Sequence, residues 1–323
     1  MAFSATVRIW GWIMKLRTHW RSFLRSVLLG GALVVASAWP ATAQKSVPGM
    51  IGKDIEHAAR DVWAIWTAPF DAHPRDLLAG LFMLGAGVAI SPIDDDVDRW
   101  AVRNANSSFF DALEPFRTGG VLYGGGRLAP VAGALYVTGI ITKNQKLRDG
   151  ITGCGATWLS NNVLRRRVLY RLVGRERPDP TRGESPPPAA EPGDQYEFDV
   201  PNDGDWGWNS FPGGHIANIM GCASFFNNRY RLGFVEPVLY AFVGAIWMAR
   251  TADRAHWTSD QLLGTVFGYA VGREIAQRQL RRQAAREAAA VANVGSATLT
   301  APTEGLYLMR TGDAVWVGWQ LRF

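Results

Sequence analysis

Cysteine is scarce here, with two in 323 residues. That excludes a disulfide-dense secreted scaffold and any four-cysteine zinc site. Charge is sparse too: 19 % of residues are charged and 48 % hydrophobic, which excludes a disordered chain. Long apolar runs are also lacking. Stretches such as Leu77–Ile90 fall short of the roughly 20 residues of a bilayer span, so they read as core helices. No acid occurs in the first 43 residues, which nonetheless carry Arg8, Lys15, Arg17, Arg21 and Arg25.

That last absence accounts for the basicity. A basic segment, an apolar run from Ser26 to Trp39 and the small-residue site Ala41-Thr42-Ala43 have the form of a secretory signal over 1–43. Without its five cations the formal charge falls from +6 to +1. Nothing then argues for a nucleic-acid partner, and no basic-aromatic platform occurs elsewhere. The expected location is exported and periplasmic, with membrane-associated or integral membrane attachment left open.

In the region 44–75, Ile51, Ile55, Ala59, Val62 and Trp66 fall on one face of an amphipathic helix. Its expected role is core packing; the alternative is contact with a membrane surface. The acids Asp94, Asp95, Asp96 and Asp98 lack the glycine and distal glutamate of a calcium loop, and read as a solvated loop with helix caps. Helical patterning fills 76–292, interrupted by a Pro-rich, acidic loop over 179–208. In 293–323 the period changes to two, with Val315, Val317, Trp319, Leu321 and Phe323 apolar, which predicts a small C-terminal β-hairpin. The expected class is all-α, a helical bundle with that hairpin appended. Cys154 and Cys222 lie in apolar helical stretches, and both a disulfide and two buried thiols are consistent with that.

Four histidines remain after residue 43, and two have unusual neighbours. Ser210-Phe211-Pro212-Gly213-Gly214-His215 enters an apolar helix. Arg250, five residues, His256, three residues and Asp260 enter another. Gly174-Arg175-Glu176-Arg177-Pro178 lies upstream. Glycines at a helix start let backbone N–H groups approach an anion. Arginine forks suit phosphate oxygens. A carboxylate at i+4 from an imidazole is within reach of it and would set its tautomer. A second imidazole supplies an acid. Together these make an anion pocket, a nucleophile and a proton donor, with no cofactor or metal required.

The order and spacing of the three segments resemble the phosphatidic acid phosphatase type 2 and haloperoxidase superfamily. Its pattern is K-x6-R-P, then P-S-G-H, then S-R-x5-H-x3-D, and the likeness spans residues 76 to 275. The resemblance implies a helical bundle and a metal-independent phosphatase, a hydrolase acting on a phosphorylated small molecule or lipid. It implies His256 as the nucleophile that becomes phosphohistidine and Asp260 as its orienting carboxylate. His215 would be the acid, and later the base. Arg177, Arg250, Gly214 and Gly213 would form the phosphate site. Three positions depart from the pattern: Tyr170 replaces its lysine, Gly213 its serine before Gly-His, and Ala249 its serine before Arg. Arg171 is the candidate compensating cation. The departures keep open a weakened member that only binds phosphate or a lipid headgroup, and a vanadate-dependent haloperoxidase.

Overall fold

The computed structural model describes residues 46–124, 126–179, 193–200, 207–298 and two backbone segments beyond. The signal expected over 1–43 and Trp206 lie outside the described residues. Two compact units divide after His57. The architecture is all-α. Helix α1 (Val47–Thr67) leads to α2 (Pro74–Ile90), α3 (Asp94–Arg103), α4 (Ser108–Ala112), α5 (Glu114–Gly124) and α6 (Ala129–Ile141). Helix α7 (Gln145–Leu164) runs into a π-helical turn (Arg165–Leu169) and then α8 (Tyr170–Val173). Helices α9 (Gly214–Tyr230), α10 (Val235–Ala252) and α11 (Thr258–Thr298) complete the bundle. Strands β1 (Gly305–Thr311) and β2 (Ala314–Gln320) pair antiparallel, with Leu308 opposite Val317. Helix α11 runs beyond residue 293, where the change of period predicts the hairpin region to begin.

Local chemistry sets several boundaries. Pro74 opens α2, capped by the His73 side chain and Asp76 in a capping box. Asn144 caps α7 by accepting from the Leu147 amide at 3.0 Å. Gly174, at φ 52°, ends α8 in the left-handed conformation, so the helical pattern stops before Arg177-Pro178.

Helix α9 packs most extensively on α11, and α7 lies against both. The α9/α11 contact is a seam of small residues. A Cβ at Gly264 would overlap the Gly213 carbonyl, one at Gly268 that of Ala217, and one at Gly272 that of Gly221. Glycine every fourth residue brings the two backbones together, as in small-xxx-small pairs. On the other side of α9, Ile216, Ile219, Ala223, Val243 and Ile246 form an apolar core. A disulfide joins Cys154 of α7 to Cys222 of α9, resolving the two readings of those residues. Val62, Ile65 and Trp66 of α1 are buried, and Asp61 accepts from Arg278 (2.9 Å) and Arg282 (2.6 Å) of α11. Of the expected apolar face, Val62 and Trp66 are thus packed, whereas Ile55 and Ala59 are exposed.

Two expectations are corrected. The run Leu77–Ile90 is not a core helix: Leu78, Leu81, Phe82 and Val88 are 64–72 % exposed, and Gly87 is its one buried residue. The helical stretch Pro74–Arg103 is long and apolar enough to cross a membrane by length and composition, and only 6 % of its most apolar window is buried. The acid cluster is not a solvated loop. Asp94 and Asp98 are buried in α3, because buried arginines elsewhere in the chain need counter-charges.

Candidate active site

The three motif segments meet. Residues 174–177 lie between residues 197–199 and 207–210, to which their backbone is hydrogen-bonded. Asp199 N donates to the Gly174 carbonyl, Glu176 N to that of Glu197, Arg177 N to that of Gly207, and Ser210 N to that of Arg175. Pairing with the loop thus holds the first motif beside the second. The second motif is tied to the third by Gly213 N donating to the Asp260 carbonyl at 2.9 Å.

His256 is 4 % exposed. Its Nδ1 lies 2.7 Å from the Ser210 carbonyl oxygen. A carbonyl only accepts, so Nδ1 carries the proton and Nε2 keeps the lone pair. Burial, then the charges of Arg177, Arg250 and His215, hold the imidazole well below its ordinary pKa, and the Ser210 bond opposes them. Burial and the Ser210 contact together favour a neutral imidazole with its lone pair on Nε2.

Asp260 does not hold His256 directly, in contrast to what the i, i+4 spacing suggests. Its Oδ1 accepts from Arg175 Nη1 at 2.8 Å and its Oδ2 from the Ser210 hydroxyl at 2.5 Å. The carboxylate sits in the first turn of α11 and braces Ser210, whose carbonyl in turn orients His256. Burial pushes the Asp260 carboxyl up, while Arg175 and Ser210 pull it down. Arg175 also donates to Asp94 at 2.8 Å, and Asp94 accepts from the Ser259 hydroxyl and amide. Burial alone would weaken the Arg175 charge; Asp260 and Asp94 more than offset it.

The phosphate-binding candidates separate. Arg177 is buried and fixed by the carbonyls of Ala255 (2.5 Å) and Asn209 (2.8 Å). Arg250 is buried and paired with Asp253. Gly214 is the first residue of α9, where amides have no intrahelical acceptor. The Gly213 amide, by contrast, is used by the Asp260 carbonyl and does not face a ligand. Packing also explains glycine at that position, since a Cβ would meet Gln261 Cα at 3.0 Å and the Asp260 carbonyl at 3.2 Å. His215 lies near enough to His256 to act on it electrostatically. Arg171 is exposed, as are Arg166 and Arg167. The arginine that enters this region is Arg165, whose guanidinium lies against Gly214.

Spacing did not reveal three contributors. Asp94 holds Arg175 across 81 residues. Asp98 accepts from Arg254 in three bonds, at 2.9, 3.3 and 2.8 Å, and so steadies a left-handed residue (φ 50°) two positions before His256. Arg165 is the third. The one available signal was four acids beside an otherwise apolar run in a chain rich in motif arginines. Among the described residues no cluster of three or more His, Cys, Asp or Glu is arranged to hold a metal.

Residues 154–284 match the family model described as PAP2 superfamily. The chain is similar to the lipid A 1-phosphatase of Porphyromonas gingivalis, 33 % identical over 66 residues, which are 20 % of this chain and 15 % of that protein. A transmembrane PAP2-type phosphatidylglycerolphosphate phosphatase from Bacillus subtilis aligns with a TM-score of 0.43 and 17 % identity, over 64 % of this chain and 96 % of that one.

Proposed function

Residues 154–284 belong to the PAP2 superfamily, and from that premise we propose that the chain is a metal-independent phosphatase acting on a lipid phosphomonoester. His256 Nε2 attacks phosphorus and the P–O ester bond breaks. His215 protonates the leaving oxygen, giving an alcohol and phosphohistidine. Water then attacks phosphorus, His215 takes its proton, and phosphate leaves. Arg177, Arg250 and the Gly214 amide stabilise the oxygens throughout, so the required positive charge comes from the chain itself.

One observation carries this reading: the 2.7 Å contact between His256 Nδ1 and the Ser210 carbonyl, which leaves Nε2 as the nucleophilic nitrogen. The exposed apolar face of α2 supports a lipid substrate and attachment to a membrane. The basic, then apolar pattern of 1–43 supports export to the periplasm.

The test is acid-quenched labelling with a ³²P-labelled short-chain lipid phosphomonoester, with and without chelator. The wild type should form a phosphoenzyme that chelator leaves intact. His256→Ala should form none and lose about 10⁴-fold or more in turnover. Tyr170 in the lysine position favours a second reading, phosphate binding without turnover. Bound phosphate with no phosphoenzyme in the wild type would establish that instead.

A further inference from the structure

Several buried guanidinium groups among the described residues have carboxylate partners: Arg175 has Asp94 and Asp260, Arg229 has Asp149, and Arg250 has Asp253. Arg165 differs from these. It is 5 % exposed, yet no carboxylate among the described residues pairs with it. Its Nη1 donates to the Tyr170 hydroxyl at 2.5 Å and its Nη2 to Asn162 Oδ1 at 2.7 Å. Both acceptors are neutral. Its Nε is buried with no acceptor at all. A buried charge without a counter-charge is unfavourable, so this arrangement calls for an anion.

The position of Arg165 says where that anion lies. The guanidinium lies so close to Gly214 that any Cβ there would overlap it. Gly214 is the first residue of α9, a 17-residue helix whose opening amides and dipole favour negative charge. The backbone explains how the side chain arrives. In the π turn the Tyr170 amide donates to the Arg165 carbonyl, so residues five apart lie together, where an α-helix would align those three or four apart. The Arg165 guanidinium thereby lies over the Tyr170 ring, 5.1 Å from its centroid. The exposed Arg166, Arg167 and Arg171 point elsewhere on the same turns.

We propose that Arg165, steadied by Tyr170 and Asn162, is a phosphate-binding residue: its Nε–H meets an oxygen of a phosphoryl group at the N-terminus of α9. The Tyr170 hydroxyl, having accepted from Arg165, keeps its own proton to donate to a second oxygen. An Arg–Tyr pair thus supplies the cation that the Tyr170 position itself cannot. The assignment deepens the phosphatase reading and rests on it for the identity of the anion.

Calorimetric titration of the full chain with inorganic phosphate tests it. Arg165→Gln should weaken binding about 10- to 150-fold, the range for a charge-assisted bond to a buried group. Arg165→Lys should lose less, because the charge remains and the fork does not. Arg171→Gln should leave affinity within about twofold, as expected of an exposed cation. The double variant Arg165→Gln/Tyr170→Lys should regain most of the affinity. Unchanged affinity in a folded Arg165→Gln protein overturns the assignment, as does an equal loss in Arg171→Gln. If Arg165→Gln does not fold, Arg165→Lys and the double variant decide, and wild-type affinity in the first with none regained in the second overturns it. Phosphate bound through Arg165 without ester hydrolysis would sink the phosphatase reading alone. Hydrolysis with Arg165→Gln affinity unchanged would sink this assignment alone.

Discussion

The motif end of the bundle and helix α2 invert the usual distribution of polarity. At the motif end, Arg175, Arg177, Arg250, Asp94, Asp260 and His256 are buried. On α2, Leu78, Leu81, Phe82 and Val88 face outward, Phe82 at 72 % exposure. In a water-soluble bundle the apolar residues would fill the interior and the ions would lie outside. Here Arg175, Arg250, Asp94 and Asp260 are buried in ion pairs, and apolar side chains of α2 are left on the outside. The contrast teaches that burial in this bundle does not follow polarity alone. One region is a buried network of ion pairs and hydrogen bonds, and the other is the kind of surface that the proposed membrane attachment would cover.

The largest break in that contrast comes from unmatching the buried charge. Asp94→Ala leaves Arg175 with one carboxylate and should cost about 3–5 kcal/mol, read as a lower thermal midpoint. A midpoint unchanged from wild type would mean that Arg175 and Asp260 stand without Asp94. On the outward face, Phe82→Ser removes one apolar side chain, about 1.5–3 kcal/mol of burial. It should reduce partition into phosphatidylglycerol vesicles by roughly tenfold or more while leaving the thermal midpoint in detergent nearly unmoved. Equal partition of the variant and wild type would sink the lipid-facing role of α2. Between these regions lies the glycine seam. Gly268→Ala forces a methyl group onto the Ala217 carbonyl and should cost about 1–3 kcal/mol, whereas Gly244→Ala, which meets nothing within 4 Å, should be neutral or stabilising. The smallest effect is in pH dependence. Burial and nearby cations lower the His256 pKa, so the acid limb of kcat/KM should lie below pH 6.5. Arg177→Gln removes one of those cations and should move that limb upward. A downward shift would assign the limb to another group.

Legibility differed between the two halves of the problem. His256, His215, Arg177, Arg250 and Asp260 were identifiable from three short segments, and the structure brings those segments together. The long helical stretches were likewise accessible, because hydrophobic period is a local signal, whereas α3 was read as a loop and α8 ends at Val173, short of the expected break at Arg177-Pro178. The roles were less so. That Asp260 acts on Ser210 rather than on the ring depends on Arg175 and Asp94 competing for its oxygens. That Gly213 gives its amide to Asp260 depends on the close approach of α9 and α11. The Gly264, Gly268 and Gly272 spacing was present in the chain, but it has no meaning until a partner helix with Gly213, Ala217 and Gly221 is known.

By itself the sequence determined the helical class, the motif residues, and where the excess of positive charge lies. Each of these is set by neighbours within a few residues, where period and chemical type are enough. The tertiary structure alone decided which arginine lies against the start of α9, which acid matches which cation, and that the apolar residues of α2 stay outside. Those are questions of contacts between residues tens of positions apart, and electrostatic pairing and burial are properties of the folded chain rather than of any segment of it.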